Sequence, residues 1–162
     1  MDYSELKALV SDFQRVATIA GIQLCPAGVL AEFLPAPHHR PSKLPAGRTA
    51  VYVFLVGDIC LKVGKAGPNS HARFTSHHYN PKSSNSNLAS SILSGIDKLM
   101  AAVPPETHES IHTTDGSSIG KWIERNCSRA HVYLGASLGD SPLCLLEDFV
   151  RCRLKPIYEG KA

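Results

Sequence analysis

Apolar residues recur at Leu6, Leu9, Val10, Phe13, Val16, Ala17 and Ala20, the three- and four-residue spacing of one helix face, and Gly21 closes the run. A shorter apolar piece spans Val29 to Leu34, and Pro35 to Gly47 reads as a proline-rich basic connector. The period then changes. Ala50-Val-Tyr-Val-Phe-Leu-Val56 is a β-branched and aromatic run, Gly57-Asp58 is a turn, and Ile59-Cys-Leu-Lys-Val-Gly64 is a second extended run, so the pattern predicts a β-hairpin. Register decides which side chains meet. A two-residue loop sets Tyr52 opposite Val63 and leaves Lys62 on the other face, whereas a three-residue loop, or a bulge, brings Lys62 to Tyr52's side.

After the loop at Gly64 to Ser70, His71-Ala-Arg-Phe-Thr-Ser-His-His-Tyr79 has the length of two helical turns before Asn80-Pro81 ends them, which puts Arg73 and His77 four apart on one face. Leu88, Ile92, Ile96, Leu99 and Val103 predict a helix stopped by Pro104-Pro105. Ile119, Trp122 and Ile123 predict a shorter one, and Ala130 to Ala136 alternates as a strand. In the last helix, opened by Ser141-Pro142, the stripe Leu143, Leu146, Val150 and Leu154 contains a carboxylate, Glu147. An ionised carboxylate on a buried stripe demands a cation or hydrogen-bond donors, so Glu147 is half of an internal ion pair, exposed at the stripe's edge, or part of a site.

With 162 residues and 43% hydrophobic content, the chain is long enough for a real core and short for two independent domains. The expected fold is α/β: a small three-stranded sheet flanked by helices, with a helical N-terminal extension and connector over 1–49 and the main domain over 50–162. The net charge of +3 is mild, but residues 40–82 hold seven cations against Asp58, a net +6, and leave −3 elsewhere. That concentration has the form of a footprint for phosphate, with His38, His39, His71, His77 and His78 as reserve charge. Five scattered cysteines without a Cys-x-x-Cys pair read as reduced core thiols. The acidic start and the lack of any long apolar run predict a soluble cytoplasmic protein with no membrane partner.

Several ordered motifs over residues 50 to 160 resemble the GIY-YIG nuclease family. Ala50-Val-Tyr52 is similar to the first signature tripeptide, and Lys62-Val-Gly64 to the second, with lysine where tyrosine is commoner, as in some restriction-enzyme members. Val63-Gly-Lys-Ala66 resembles the nuclease motif of the bacterial excision-repair incision subunit. Arg73 with His77 fits the helix pattern, and Leu145-Leu-Glu147 with Leu154-Lys-Pro156 resembles the closing helix. Two departures stand out: the first tripeptide lacks its leading glycine, and Ile157 follows the closing proline where the family often has asparagine.

The resemblance implies the family's α/β sandwich and a divalent-metal DNA endonuclease of a restriction or defence type. Glu147 would hold one hard cation, Mg²⁺ or Mn²⁺, with water and phosphate oxygens in the other positions. Arg73 would grip the scissile phosphate and Lys62 add a compact charge. Tyr52 would receive or relay the water's proton, for which neighbouring cations must lower a phenol pKa of about 10. His77 would position the nucleophile or contact phosphate, while Lys65, Arg48, Lys82 and His78 would bind substrate. The amphipathic first helix either packs on this core or forms a homodimer suited to cutting both strands.

Two rival functions remain. One is a degenerate module that binds nucleic acid without cutting it. The other is a zinc hydrolase, because His108-Glu-Ser-Ile-His112 matches the His-Glu-x-x-His pattern that places two ligands on one helix face. Pro104-Pro105 before it and Thr113-Thr-Asp-Gly116 after it leave little room for the long helix this motif needs, and His131 and Glu124 lack a compelling spacing as third ligands.

Overall fold

A computed structural model describes residues 1–25, 28–84 and 87–158 of the chain. Among these, four strands form one antiparallel sheet in the order β1-β4-β2-β3: β1 (Leu30–Leu34), β2 (Arg48–Val56), β3 (Ile59–Ala66) and β4 (Ser128–Gly135). The expected three-stranded sheet is therefore one strand short. The extra strand comes from the apolar piece after the first helix. Leu30 to Leu34 pairs along its whole length with β4, so the N-terminal extension is part of the sheet as well as helical, and the division at residue 49 falls inside β2.

Helices cover both faces. On one side lie α1 (Tyr3–Ile19) and α7 (Asp140–Leu154). The first opens on an Asp2 capping box with Glu5, which satisfies two of the free amides of its first turn. Leu6, Phe13 and Ala17 of α1 and Leu143, Leu146 and Val150 of α7 pack on Val51, Val53, Leu55, Val63, Ala130, Val132 and Leu134. In α1 the predicted stripe faces the protein's own core. On the other side lie α2 (His71–Thr75), α3 (Leu88–Ser94), α4 (Ile96–Ala102), α5 (His108–His112) and α6 (Ile119–Asn126). The single helix expected over 88–103 is two, because Gly95 interrupts it and becomes the N-cap of α4.

The hairpin resolves the register question by a third route. Gly57-Asp58 forms a two-residue turn with Gly57 at φ +56°, and Val56 pairs with Ile59. The register then slips: Leu55 faces Cys60, but Phe54 faces Lys62, which leaves Leu61 as the extra residue of a β-bulge. Beyond the bulge Tyr52 pairs with Gly64, so Tyr52, Phe54, Lys62 and Gly64 share a face. Without the slip, Lys62 would point to the opposite side.

Candidate functional site

Tyr52 sits mid-sheet in a cross-strand row, with His131 of β4 on one side, Gly64 of β3 on the other, and Glu32 of β1 beyond His131. Its ring lies flat across Gly64. A Cβ at that position would come within 2.6 Å of the phenol oxygen and 2.7 Å of Cζ, so only glycine lets the phenol reach over the edge strand.

Two groups donate to that oxygen. Arg73 Nε lies 3.2 Å from it and His78 Nε2 2.7 Å. The His78 tautomer follows from its other bond: the Leu88 amide donates to Nδ1 at 3.1 Å, which leaves the ring proton on Nε2. Burial, followed by the charge of Arg129, holds His78 down at about 2, so the ring is neutral. The phenol oxygen thus accepts two hydrogen bonds and its own proton is free for a third direction. Burial nevertheless holds the Tyr52 phenol above its ordinary value, against the opposing pull of Arg73 and Arg129. The expectation that neighbouring cations lower it is not met by the cations in the protein.

His78, expected among substrate-binding groups, is the histidine that touches Tyr52. The α-helix stops at Thr75, Ser76 leaves helical geometry at φ −131°, and His77 to Tyr79 form a 3-10 turn, which turns His78 rather than His77 onto the phenol. His77 instead lines a cavity of about 420 Å³ together with Asn69, Ser70, Ala72, Arg73, His78 and Ser84. Tyr52, Lys62 and Glu147 do not line it.

Glu147 is 7% exposed, and its Oε2 lies 3.0 Å from Lys65 Nζ. The same ammonium reaches Cys144 Sγ at 3.2 Å, and these two partners, the carboxylate first, raise the Lys65 pKa. The buried acid therefore has the internal ion pair that one of its readings requires. Lys65 pairs in register with Val51, on the α1–α7 face, whereas Tyr52 belongs to the opposite core. Tyr52 and Lys65, the partner of Glu147, thus belong to opposite faces of the sheet.

Lys62 is 4% exposed, and its Nζ donates to the Tyr158 carbonyl at 3.4 Å. Burial, then Arg73 and Arg151, depress its pKa. Arg48 and Lys82 are not drawn into this cluster: Arg48 Nη1 donates to the Gly28 carbonyl, and Lys82 is exposed in the loop before Ser84. Among the five histidines expected as reserve charge, His38 and His78 are buried with depressed pKa values and carry none at neutral pH.

Arg129 has no counterpart in the sequence-based reading. Its guanidinium is fully buried, donates to the Tyr79 hydroxyl at 3.1 Å and to the Phe74 carbonyl, and lies 5.3 Å from the Tyr52 ring centre, 4.8 Å from Phe54 and 4.9 Å from Phe74. No carboxylate pairs with it among the described residues. Beside it His131 Nδ1 donates to Glu32 Oε2 at 2.8 Å and Tyr133 Oη donates to the same oxygen at 2.6 Å. The His131 bond, helped by Tyr133, holds Glu32 near 2, while burial keeps His131 at about 4 and hence neutral.

No group of three or more His, Cys, Asp or Glu suited to a metal occurs among the described residues. An all-protein cage is thereby absent from them, but Mg²⁺ needs only one or two carboxylates when water and phosphate fill the rest, and Glu147 fits that use. Its present counter-cation is Lys65, standing where a metal would compete. The His-Glu-x-x-His segment forms only the five-residue α5, and His108 Nε2 contacts the Met100 and Val103 carbonyls at 2.9 and 3.3 Å, the end of α4. Comparison of the chain with protein-family models, curated proteins and solved structures found no match.

Proposed function

We propose that the protein is a divalent-metal-dependent DNA endonuclease of the GIY-YIG type, with Tyr52, Arg73, His78, Lys62 and Glu147 at its centre. The observation that carries this reading is the phenol–guanidinium pair of the hairpin, Arg73 Nε on the Tyr52 oxygen at 3.2 Å, with a buried acid, Glu147, on the last helix, which packs against the same hairpin. Phosphodiester hydrolysis needs a nucleophilic water, stabilisation of added charge on the phosphoryl oxygens and help for the departing oxygen.

Arg73 commits only Nε to Tyr52, which leaves its two terminal amino groups for a phosphate. His78 fixes the phenol by donating to it and, being neutral, adds no charge of its own. Burial moves the phenol up and the ammonium of Lys62 down. Tyr52, held by Arg73 and His78, would orient the attacking water, and Lys62 on the same face of the hairpin would add positive charge beside it. A divalent cation on Glu147 would supply Lewis-acid stabilisation of the phosphate and lower the pKa of nearby water.

Plasmid incubated with the purified chain and Mg²⁺ tests the reading. Nicking that disappears with EDTA and in Glu147→Ala and Arg73→Ala is the expected result; undiminished cutting by those variants rejects the site. The Lys65 ammonium already on Glu147 favours one second reading, a module that binds DNA without cutting. It predicts retarded plasmid with no nick at any Mg²⁺ concentration. Sequencing product ends then tells a restriction- or defence-type cutter from a non-specific one.

A further inference from the structure

Lys155 is the one non-glycine residue with positive φ among the described residues, at φ +47° and ψ +63°. It ends α7, a position where glycine is the common choice because a Cβ is disfavoured in left-handed backbone. It also precedes Pro156, and the residue before a proline is pushed towards extended backbone. A lysine here is therefore doubly unfavourable for the fold. Stabilising the helix dipole does not account for it, since Arg151 and Arg153 already place cations in the last turn.

What the strained residue faces is a groove of about 500 Å³ lined by Asp148, Arg151, Cys152, Lys155 and Pro156. Arg151 lies one helical turn beyond Glu147, and its charge is felt at Lys62, so the groove adjoins the site. Its Nε is buried and bonds to nothing among the described residues. The acid in the groove is Asp148, 3.7 Å from Arg151 Nη1, and it is well exposed. Cations thus outnumber acids, and one of them holds a backbone conformation that its own type disfavours.

We infer that Arg151 and Lys155 form a subsite for the phosphodiester backbone flanking the scissile phosphate. The inference deepens the nuclease reading and rests on it for the location of the scissile group. Along the helix Arg151 stands about 6 Å and Lys155 about 12 Å past Glu147. With one phosphate per ~3.4 Å of rise on each strand, a strand leaving Glu147 along α7 meets them about two and four nucleotides away. The subsite reads charge and not sequence, because the phosphates it would meet carry no base information.

Anisotropy of a labelled DNA duplex in EDTA, titrated across salt with the full chain, tests this apart from catalysis. Lys155→Gly removes the charge and the backbone strain together, so its affinity falls about threefold or more, its log–log salt slope drops by about 0.9, and its Tm rises by about 2–4 °C. Arg151→Gln gives the same loss of slope. Arg15→Gln, which removes an exposed cation from α1, leaves affinity and slope unchanged. Wild-type binding by Lys155→Gly, or an equal loss in Arg15→Gln, overturns the subsite. Plasmid nicking run in parallel separates the two claims: Glu147-dependent cutting with unaltered binding in Arg151→Gln sinks the subsite alone, while binding lost in both groove variants with no cutting by wild type sinks the nuclease reading alone.

Discussion

The two faces of the sheet are built on opposite terms. Towards α1 and α7 the strands present Val51, Val53, Leu55, Val63, Ala130, Val132 and Leu134, and the helices answer with leucine, valine and phenylalanine. Towards the short helices the same strands present Tyr52, Phe54, Arg129, His131 and Tyr133, equally buried but laced with hydrogen bonds and a guanidinium that no carboxylate pairs with among the described residues. The aliphatic face gains stability from non-directional burial and tolerates small shifts. On the aromatic face most donors are aimed at one acceptor, with Arg129 Nε buried without one, so displacement there leaves further polar groups unmet at about 1–3 kcal/mol each. One side of the sheet holds the fold, and the other holds atoms in place.

Variants on each face separate these roles. Leu146→Ala opens a cavity on the aliphatic side and is expected to cost about 2–5 kcal/mol in urea unfolding, with nicking per folded molecule unchanged. A fall in activity greater than the fall in folded fraction would erase the distinction. Gly64→Ala drives a methyl into the phenol of Tyr52 and should lower nicking about a hundredfold in protein that remains folded by circular dichroism, since a displacement of about 1 Å suffices for that loss.

Acid should act through the aromatic face. Its histidines His38, His78 and His131 all have pKa values depressed by burial, to about 2 for His78 and about 4 for His131. Below about pH 6.5 the unfolded chain binds protons that the native chain refuses, so stability falls as pH drops from there towards about 4, by up to about 1.4 kcal/mol per pH unit for each histidine. Urea midpoints that stay level between about pH 7 and about pH 5 would contradict this. The smallest effect concerns the edge between the faces. Lys65→Met removes the ammonium competing for Glu147, and calorimetry with Mn²⁺ is expected to show affinity about two- to fivefold tighter than wild type.

Most elements were legible because a period announces them. The stripes of α1 and α7 place Leu6, Phe13, Leu143 and Glu147 as buried, and the β2–β3 hairpin follows from its two apolar runs and Gly57-Asp58. Strand β1 was not, since five residues with Glu32 in the middle carry too short a pattern to tell strand from helix. Tyr52, Lys62, Arg73 and Glu147 could be picked out from the sequence as candidates, but their contacts could not. Leu61 bulges out without a glycine to mark it, and the helical period that favours His77 fails at Ser76, so His78 is the ring that turns inward. Arg129, His131 and Tyr133 alternate with Ala130, Val132 and Leu134, a pattern that reads as a solvated face. They are buried because helices contributed by distant parts of the chain close over them, which no local window contains.

The segment after α7 has a consequence for how this sheet meets other chains. Ile157 and Tyr158 donate their amides to the carbonyls of Cys60 and Leu61, at 3.0 and 2.9 Å, and the Tyr158 hydroxyl is anchored on the Gly95 carbonyl at 2.7 Å. The outer rim of β3 is thus already occupied where its bulge lies. A neighbouring molecule seeking to add a strand there must first displace this segment, which covers that stretch of the rim.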